Sequence, residues 1–467
     1  MSGPARLLEI GRLQMNIIVA GGGKVGELLS VELTNEGNNI TLIEKNEKKL
    51  ERLVYKNDIT GVIGNCVDYN TLVEAQVEDG DIFIAVTSED ELNIIACIIA
   101  QKLGAKHTIA RVRNPEYSAH IDFMENDLNI SLMINPEKEA AEDIMRVIQY
   151  PEALSIEEFA NGRVNLSELL IKENSPLIDV KISDFRQRFG NILVTVVLRD
   201  GQTLIPSGQT VLKEGDEIYV VSTKDKLNEF YAKVNGKVGQ IKTALIIGGG
   251  RITHYLIGLL LDKGVKVKVI EQNTDAAKSL SSLYPKCVVV EGDGTDQSFL
   301  EEERIGSYDA VISLTGVDES NILTSMFAMT FDPKKVITKV SRTDLLRIMS
   351  LMGSISLQTI VTPKRLIAYK IIRYVRALKY HYSSHFENFF RVANNQAEAM
   401  QFEVGSESKI INIPLIDLKL KDDLLIAFIV RGDDLLFPTG ADRILPGDKV
   451  IVVTTRQILD EIDEILK

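Results

Sequence analysis

The sequence predicts an α/β protein built from two Rossmann-like, doubly wound parallel sheets, each followed by a small α+β module. Three observations carry this expectation. A β-branched run that ends in a glycine turn and opens a helical pattern occurs twice, once from Asn16 to Gly26 and again from Thr243 to Thr253. Short apolar runs then alternate with helical patterns through both copies, an order that requires right-handed crossovers and hence a parallel sheet. After each copy the pattern turns to alternating β runs with shared turns: Pro206-Ser207-Gly208 and Glu214-Gly215-Asp216 return as Pro438-Thr439-Gly440 and Pro446-Gly447-Asp448.

Taken in order, residues 1–14 carry charge at Arg6, Glu9 and Arg12 and precede a second methionine, Met15, so they read as a leader or upstream prefix outside the fold. Residues 15–135 form the first nucleotide-binding domain. Strands are expected at 16–20, 40–44, 60–63, 81–86 and 106–112, with a sixth apolar run at 129–134. Helices are expected around 24–36, 46–57, 69–76 and 89–103, with Asp68 capping the third. Residues 136–160 form a linker helix and 161–238 the first small module. Residues 241–362 repeat the nucleotide domain: Ala310–Thr315 answers Ile82–Thr87, Asp296 answers Asp68, and Thr362-Pro363 answers Asn135-Pro136. A second linker helix and loop (363–395) and a second module (396–467) follow, each module ending in a helical pattern. Duplication on this scale is expected to relate the copies by a pseudo-two-fold axis.

Composition narrows the function. A length of 467 residues exceeds one core, and a net charge of −13 opposes the concentrated cationic surface that nucleic acid demands. Cys66, Cys97 and Cys287 lie far apart, which implies neither a disulfide framework nor a zinc site and fits a reducing compartment. No apolar stretch approaches the ~18 residues that span a bilayer. The basic amphipathic stretch from Pro363 to Arg376 places Ile367, Ile371, Val375 and Leu378 on one face. It reads as a helix packed on its duplicate or a second subunit, or as a membrane-surface helix.

The glycine turns carry the chemistry. Gly21, Gly22, Gly23 and Gly26 satisfy GxGxxG, where the first glycine makes the turn, the second admits pyrophosphate and the last lets helix and strand pack closely. Lys24 and Val25 then open a helix whose N–H groups face the phosphates. Gly248, Gly249, Gly250, Arg251 and Ile252 repeat the pattern, but Thr253 replaces the last glycine. Threonine there should push helix from strand, leaving a second site that is weaker, different in preference or empty. Glu44 and Glu271 end the next apolar run at an identical separation from their turns. Each is placed to accept from ribose hydroxyls and to repel a 2′-phosphate, which favours NAD(H) or an adenosine nucleotide over NADP(H). Asn65-Cys66 and Asp293-Gly294 lie where adenine edges are read, Thr87-Ser88 and Thr315 at the carboxyl edge, and Arg111 and Lys339 supply a cation there. His107, His120, His254, His381 and His385 pair with no acid at a recognisable spacing. Neither catalytic nor metal-binding residues are therefore expected.

These residues, with Ala110–Tyr117 and the paired Pro-x-Gly and Gly-Asp modules, resemble the TrkA family of cytosolic Trk potassium-uptake subunits. Chains of that family carry two regulator-of-potassium-conductance (RCK) N-domains, each followed by its C-domain. The resemblance spans residues 15–467 and implies a non-enzymatic gating subunit that binds NAD or NADH, with ATP or ADP as further candidates. It also implies a potassium-transporting integral membrane partner and a homo-oligomer, dimer or tetramer. The location implied is cytoplasmic, peripheral at the inner face of the cell membrane, with membrane contact only through the partner. A dehydrogenase acting on a small metabolite, or a scaffold with empty sites, are the rival readings.

Overall fold

A computed structural model of the chain describes residues 14–118, 120–234, 239–342, 345, 357–381, 386–393, 395–455, 459 and 461–467. The expected prefix (all but Gln14) and His385 lie outside the described residues. The first nucleotide domain holds strands β1 (Asn16–Ala20), β2 (Asn39–Glu44), β3 (Thr60–Ile63), β4 (Ile82–Ala85), β5 (His107–Arg111) and β6 (Leu132–Ile134). They form one parallel sheet in the order β3-β2-β1-β4-β5-β6. Strand β4 is buried along its whole length and β1 at every position but the first, which explains their continuous Ile-Ile-Val-Ala and Ile-Phe-Ile-Ala runs. Helices start where short polar side chains cap them. Asn46 accepts from Lys49 N at 2.9 Å and Asp68 from Thr71 N at 2.9 Å. Strand order reverses between β1 and β4, so a crevice opens beyond their carboxyl ends.

The first module, β7 (Ser155–Phe159), β8 (Val164–Leu170), β9 (Leu193–Arg199), β10 (Gln202–Leu204) and β11 (Glu217–Ser222), is an antiparallel sheet ordered β10-β9-β11-β8-β7. The second nucleotide domain contains β12 (Thr243–Ile247), β13 (Lys266–Glu271), β14 (Val288–Glu291), β15 (Ala310–Ser313), β16 (Lys335–Lys339) and β17 (Thr359–Val361). It repeats the parallel order as β14-β13-β12-β15-β16-β17. The second module, β18 (Phe386–Val392), β19 (Ala397–Glu403), β20 (Leu424–Arg431), β21 (Asp434–Leu436) and β22 (Lys449–Thr454), is ordered β18-β19-β22-β20-β21. The shared Gly-Asp turns are structural. Asp216 and Asp448, both buried, each take a two-pronged bond from an arginine, Arg199 or Arg431, at 2.7–2.8 Å.

The chain divides into two compact units: residues up to Glu139 with Pro363–Lys379, and residues 140–362 with 380–467. Within the second unit the two modules share a core in which Phe159, Leu166 and Tyr219 meet Ala399, Phe428 and Ile451. Their hairpin tips make reciprocal contacts. Arg163 donates to the carbonyls of Gly432 and Asp433, and Gln396 donates to the carbonyl of Gly201. Lys335 is buried at the start of β16 and donates to the carbonyls of Pro151 (3.3 Å) and Ala153 (2.5 Å).

Two expectations are corrected. The helix Pro363–His381 buries Ile367, Ile371 and Val375 inside the first unit, while Leu378 is only partly covered. Arg376 and Glu36 form a buried ion pair at 2.7 Å, and the Tyr374 ring meets His107 edge-on. The helix meets its duplicate at the ion pair between Lys370 and Glu139. Its apolar face is thus buried within the chain, which corrects the membrane-surface alternative and leaves packing on the duplicate helix standing. The second module's expected terminal helix is, among the described residues, a single 3₁₀ turn at Ile462–Ile465, whereas the first module ends in the helix Lys224–Val234. No helix among the described residues is long and apolar enough to cross a membrane.

Candidate functional site

A cleft of about 400 Å³ lies at the carboxyl ends of β1, β2 and β4 in the first domain. Of the residues singled out from sequence, Gly21, Gly23, Lys24, Val25, Glu44, Cys66, Thr87, Ser88 and Arg111 line it; Gly22 and Asn65 do not. Gly21 turns the chain at φ +105°, and its N–H donates to the Ile43 carbonyl at 2.8 Å. A side chain there would press on the Thr87 backbone at 3.0 Å, and the positive φ itself favours glycine. Gly23 faces open space and precedes the helix Lys24–Asn35, leaving unpaired N–H groups pointed into the cleft.

Glu44 is tied down. Its Oε2 accepts from Gly22 N at 2.9 Å and pairs with Lys49 Nζ at 2.9 Å, and its Oε1 accepts from Asn46 N at 3.0 Å. Burial opposes its ionisation, but the Lys49 bond and the two backbone N–H groups prevail and hold the carboxyl below the usual range. Burial pushes the Cys66 thiol up, keeping it neutral beside the cleft. Asn65 is folded into its own turn, its Oδ1 accepting from Val67 N at 3.4 Å.

At the carboxyl edge, Arg111 Nη2 donates to the Thr87 carbonyl. Sequence reasoning missed what anchors this corner. Asn93, fully buried, accepts from Thr87 N (2.8 Å) and Thr87 Oγ1 (2.7 Å) and donates to the Arg111 carbonyl at 2.9 Å. Asp90 accepts from Arg113 N and Asn114 N, both at 2.8 Å, and Arg113 Nη2 donates to the Ser88 carbonyl at 2.6 Å. Lys45, Lys49 and Arg113 also line the cleft. Asn321 and Asp318 repeat the two anchors in the second domain, so the signal was present in the comparison of the two copies.

The second site keeps this frame. Gly248 turns at φ +103°, Gly249 N donates to Glu271 Oε2 at 2.5 Å, and Asn273 N donates to Glu271 Oε1 at 2.7 Å. Gly250 faces open space before Arg251 and Ile252. Lys339 Nζ donates to the Thr315 carbonyl at 2.7 Å, the same contact that Arg111 makes. Asp293 accepts from Thr295 N (2.9 Å) and Thr295 Oγ1 (2.7 Å), which hold its carboxyl below the ordinary value. Gly294 packs against Ile247, where a side chain would clash. Thr253 is buried, and its Oγ1 donates to the Gly248 carbonyl at 2.6 Å. A Cβ on Gly26, its counterpart, would lie 1.9 Å from the Gly21 carbonyl. The second turn therefore opens enough to admit the side chain, and the hydroxyl bridges the gap.

The first cleft is lined by Glu44 and Glu89 as its acids, several cations and no histidine. Unpaired helix N–H groups, a positive rim and a fixed carboxylate at a strand end suit an anionic nucleotide.

The TrkA-N domain model matches residues 17–136 and 244–363, and the TrkA-C domain model matches residues 166–235 and 399–467. The Trk system potassium uptake protein TrkA homolog of Archaeoglobus fulgidus is 30% identical over 97% of this chain and the whole of that protein. The Trk system potassium uptake protein TrkA of Haemophilus influenzae is 28% identical over 97% of this chain and 99% of that protein. The solved GsuK channel shares the fold with a TM-score of 0.63 and 19% identity, over 95% of this chain and 77% of that one. Another GsuK structure carries NAD (TM-score 0.60). With both domain types present twice in the same order, the chain belongs to the TrkA family of Trk-system potassium uptake proteins.

Proposed function

We propose that this chain is the nucleotide-binding regulatory subunit of a Trk-type potassium uptake system. In this reading each glycine turn holds NAD or NADH, with ATP or ADP competing, and binding changes how the chain acts on a potassium-transporting integral membrane subunit. The observation that carries it is the pairing of an open glycine turn with an anchored carboxylate in both copies, Gly22–Glu44 and Gly249–Glu271. GsuK, which shares the fold, has been solved bound to NAD and to ADP, at 19% and 14% identity, and this supports a nucleotide as the ligand. The relatives are named as potassium uptake proteins, which speaks against a dehydrogenase.

Regulation requires that a ligand bind two arrangements of the chain with different affinity, about 1.4 kcal/mol for a tenfold bias. The reading also places the chain at the cytoplasmic face of the membrane through its partner, as a homo-oligomer. It is tested by calorimetry with NADH, NAD, ATP and ADP, joined to nucleotide-dependent retention of the membrane subunit and potassium flux. Glu44→Ala should weaken NADH binding at the first site by roughly 5- to 150-fold, because ribose hydroxyls lose a charged acceptor. Unchanged affinity would remove Glu44 from the site.

A further inference from the structure

The two sites share a backbone but not a charge. At the ribose corner of the first site, Glu44 is accompanied by Lys49, bonded to it at 2.9 Å, and by Lys45, which lines the cleft. The adjoining strand and loop contribute the uncharged Ile63, opposite Glu44 in the sheet, and Asn65. This corner carries net positive charge. At the second site the equivalents of Lys45 and Lys49 are Gln272 and Ala276, and those of Ile63 and Asn65 are Glu291 and Asp293. Glu291 pairs in register with Glu271, and Gln272 Nε2 reaches Asp293 Oδ2 at 3.4 Å. Three carboxylates therefore converge on that corner, and no lysine or arginine stands at the matching positions.

We propose that the first site accepts a dinucleotide phosphorylated on the adenosine 2′-oxygen, through Lys45 and Lys49, whereas the second rejects it. A bare carboxylate at this strand end excludes a 2′-phosphate by like-charge repulsion, and a nearby cation reverses the preference. At the first site the Glu44 charge is shared among Lys49 and two backbone N–H groups, so an incoming phosphate meets ammonium groups as well as carboxylate. Lys49 is about one-third exposed and can swing from Glu44 to the phosphate without leaving a buried charge behind. Glu271 keeps the same two backbone N–H donors at 2.5 and 2.7 Å, and Ala276 stands at the Lys49 position. The difference thus lies in the added side chains, since the carboxylate is placed alike in both copies.

The inference rests on the nucleotide sites proposed above, and NADH serves as the control that separates the two ideas. The full chain is titrated with NADH and NADPH by calorimetry, intact and with one site blocked by Gly250→Asp or Gly23→Asp. A side chain at either glycine enters open space, so the new carboxylate occupies the phosphate position without a clash. The preference for NADPH relative to NADH should be about 10- to 150-fold greater at the first site than at the second, the span of one charged hydrogen bond. Lys49→Ala should weaken NADPH at the first site about tenfold or more beyond any change in NADH, and Ala276→Lys should strengthen NADPH at the second. The intact chain supplies a check independent of the blocking variants: NADPH should fill one site per chain at concentrations where NADH fills both. Equal NADPH-to-NADH ratios at the two sites, or a Lys49→Ala variant that moves both ligands alike, overturns the proposal. Failure of NADH to bind at either glycine turn overturns the site assignment itself.

Discussion

In the first nucleotide domain the helix after the glycine turn packs so closely that a Cβ on Gly26 would lie 1.9 Å from the Gly21 carbonyl. In the second, Thr253 occupies that place and hydrogen-bonds the corresponding carbonyl at 2.6 Å. The anchors beneath both turns are nevertheless the same. Asn93 and Asn321 make matching bonds to Thr87 and Thr315 and to the carbonyls of Arg111 and Lys339. The ties that complete each domain differ again: a buried Arg376–Glu36 ion pair in the first, a buried Lys335 bonded to two carbonyls in the second. Bonds that set the backbone path recur in both copies, while the side chains that meet ligand or neighbouring elements have diverged.

The ties should show the widest separation. Arg376→Met takes the guanidinium away from the buried Glu36 carboxylate and should destabilise the first unit by about 3–5 kcal/mol in urea unfolding. A loss below about 1 kcal/mol would mean that water reaches Glu36 and that this pair does not distinguish the copies. The anchors, by contrast, should respond alike. Asn93→Ala and Asn321→Ala each orphan a partly buried N–H at the strand end, so about 1–3 kcal/mol of stability should go in both, with weaker nucleotide binding. A large effect in one copy alone would end the claim that the frame is shared.

Lys335 adds a pH dependence above neutrality; the first copy has His107 at the same strand position, where burial holds the imidazole below its ordinary value. Burial, with Lys172 nearby, pulls the Lys335 ammonium from an ordinary 10.5 to about 7. A neutral amine still has two donors for the two carbonyls. Because the folded pKa is the lower one, the unfolded chain binds the extra proton between these values. Stability of the second unit should therefore rise with pH from about 7 towards 10.5, by roughly 1 kcal/mol per unit, and stay flat below 7 as far as Lys335 is concerned. Chemical denaturation across that range measures the slope, which Lys335→Met should abolish. The smallest effect belongs to Thr253→Val, which keeps the shape and removes the bond to Gly248. A loss of about 0.5–1.5 kcal/mol is expected, and none at all would mean that the hydroxyl only fills space.

Much of the frame was legible because its signals are local. Continuous β-branched runs mark β1 and β4, short polar caps mark helix starts, and GxGxxG marks a turn that only glycine can make. Lys49 and Arg113 were not legible: one reaches Glu44 from the following helix and the other reaches Ser88 from beyond β5, and neither spacing is a motif. Asn93 could have been found, since the two copies read Asp90-Glu91-Leu92-Asn93-Ile94 and Asp318-Glu319-Ser320-Asn321-Ile322. The destination of the helix Pro363–His381 could not. Its amphipathic pattern says that one face must be covered, and a pattern of that kind is silent on what covers it.

That destination has a consequence for how the protein is made. The first unit draws on Pro363–Lys379, which leave the ribosome long after Glu139. At ~5–20 residues per second, the roughly 240 intervening residues take about 12–50 s to synthesise. During that interval the first nucleotide domain exists without the helix that pairs with Glu36, and the apolar surface awaiting Ile367, Ile371 and Val375 stays open to whatever passes. A nascent chain arrested before Pro363 should be captured by chaperones or protease in a way that a chain released after Lys379 is not.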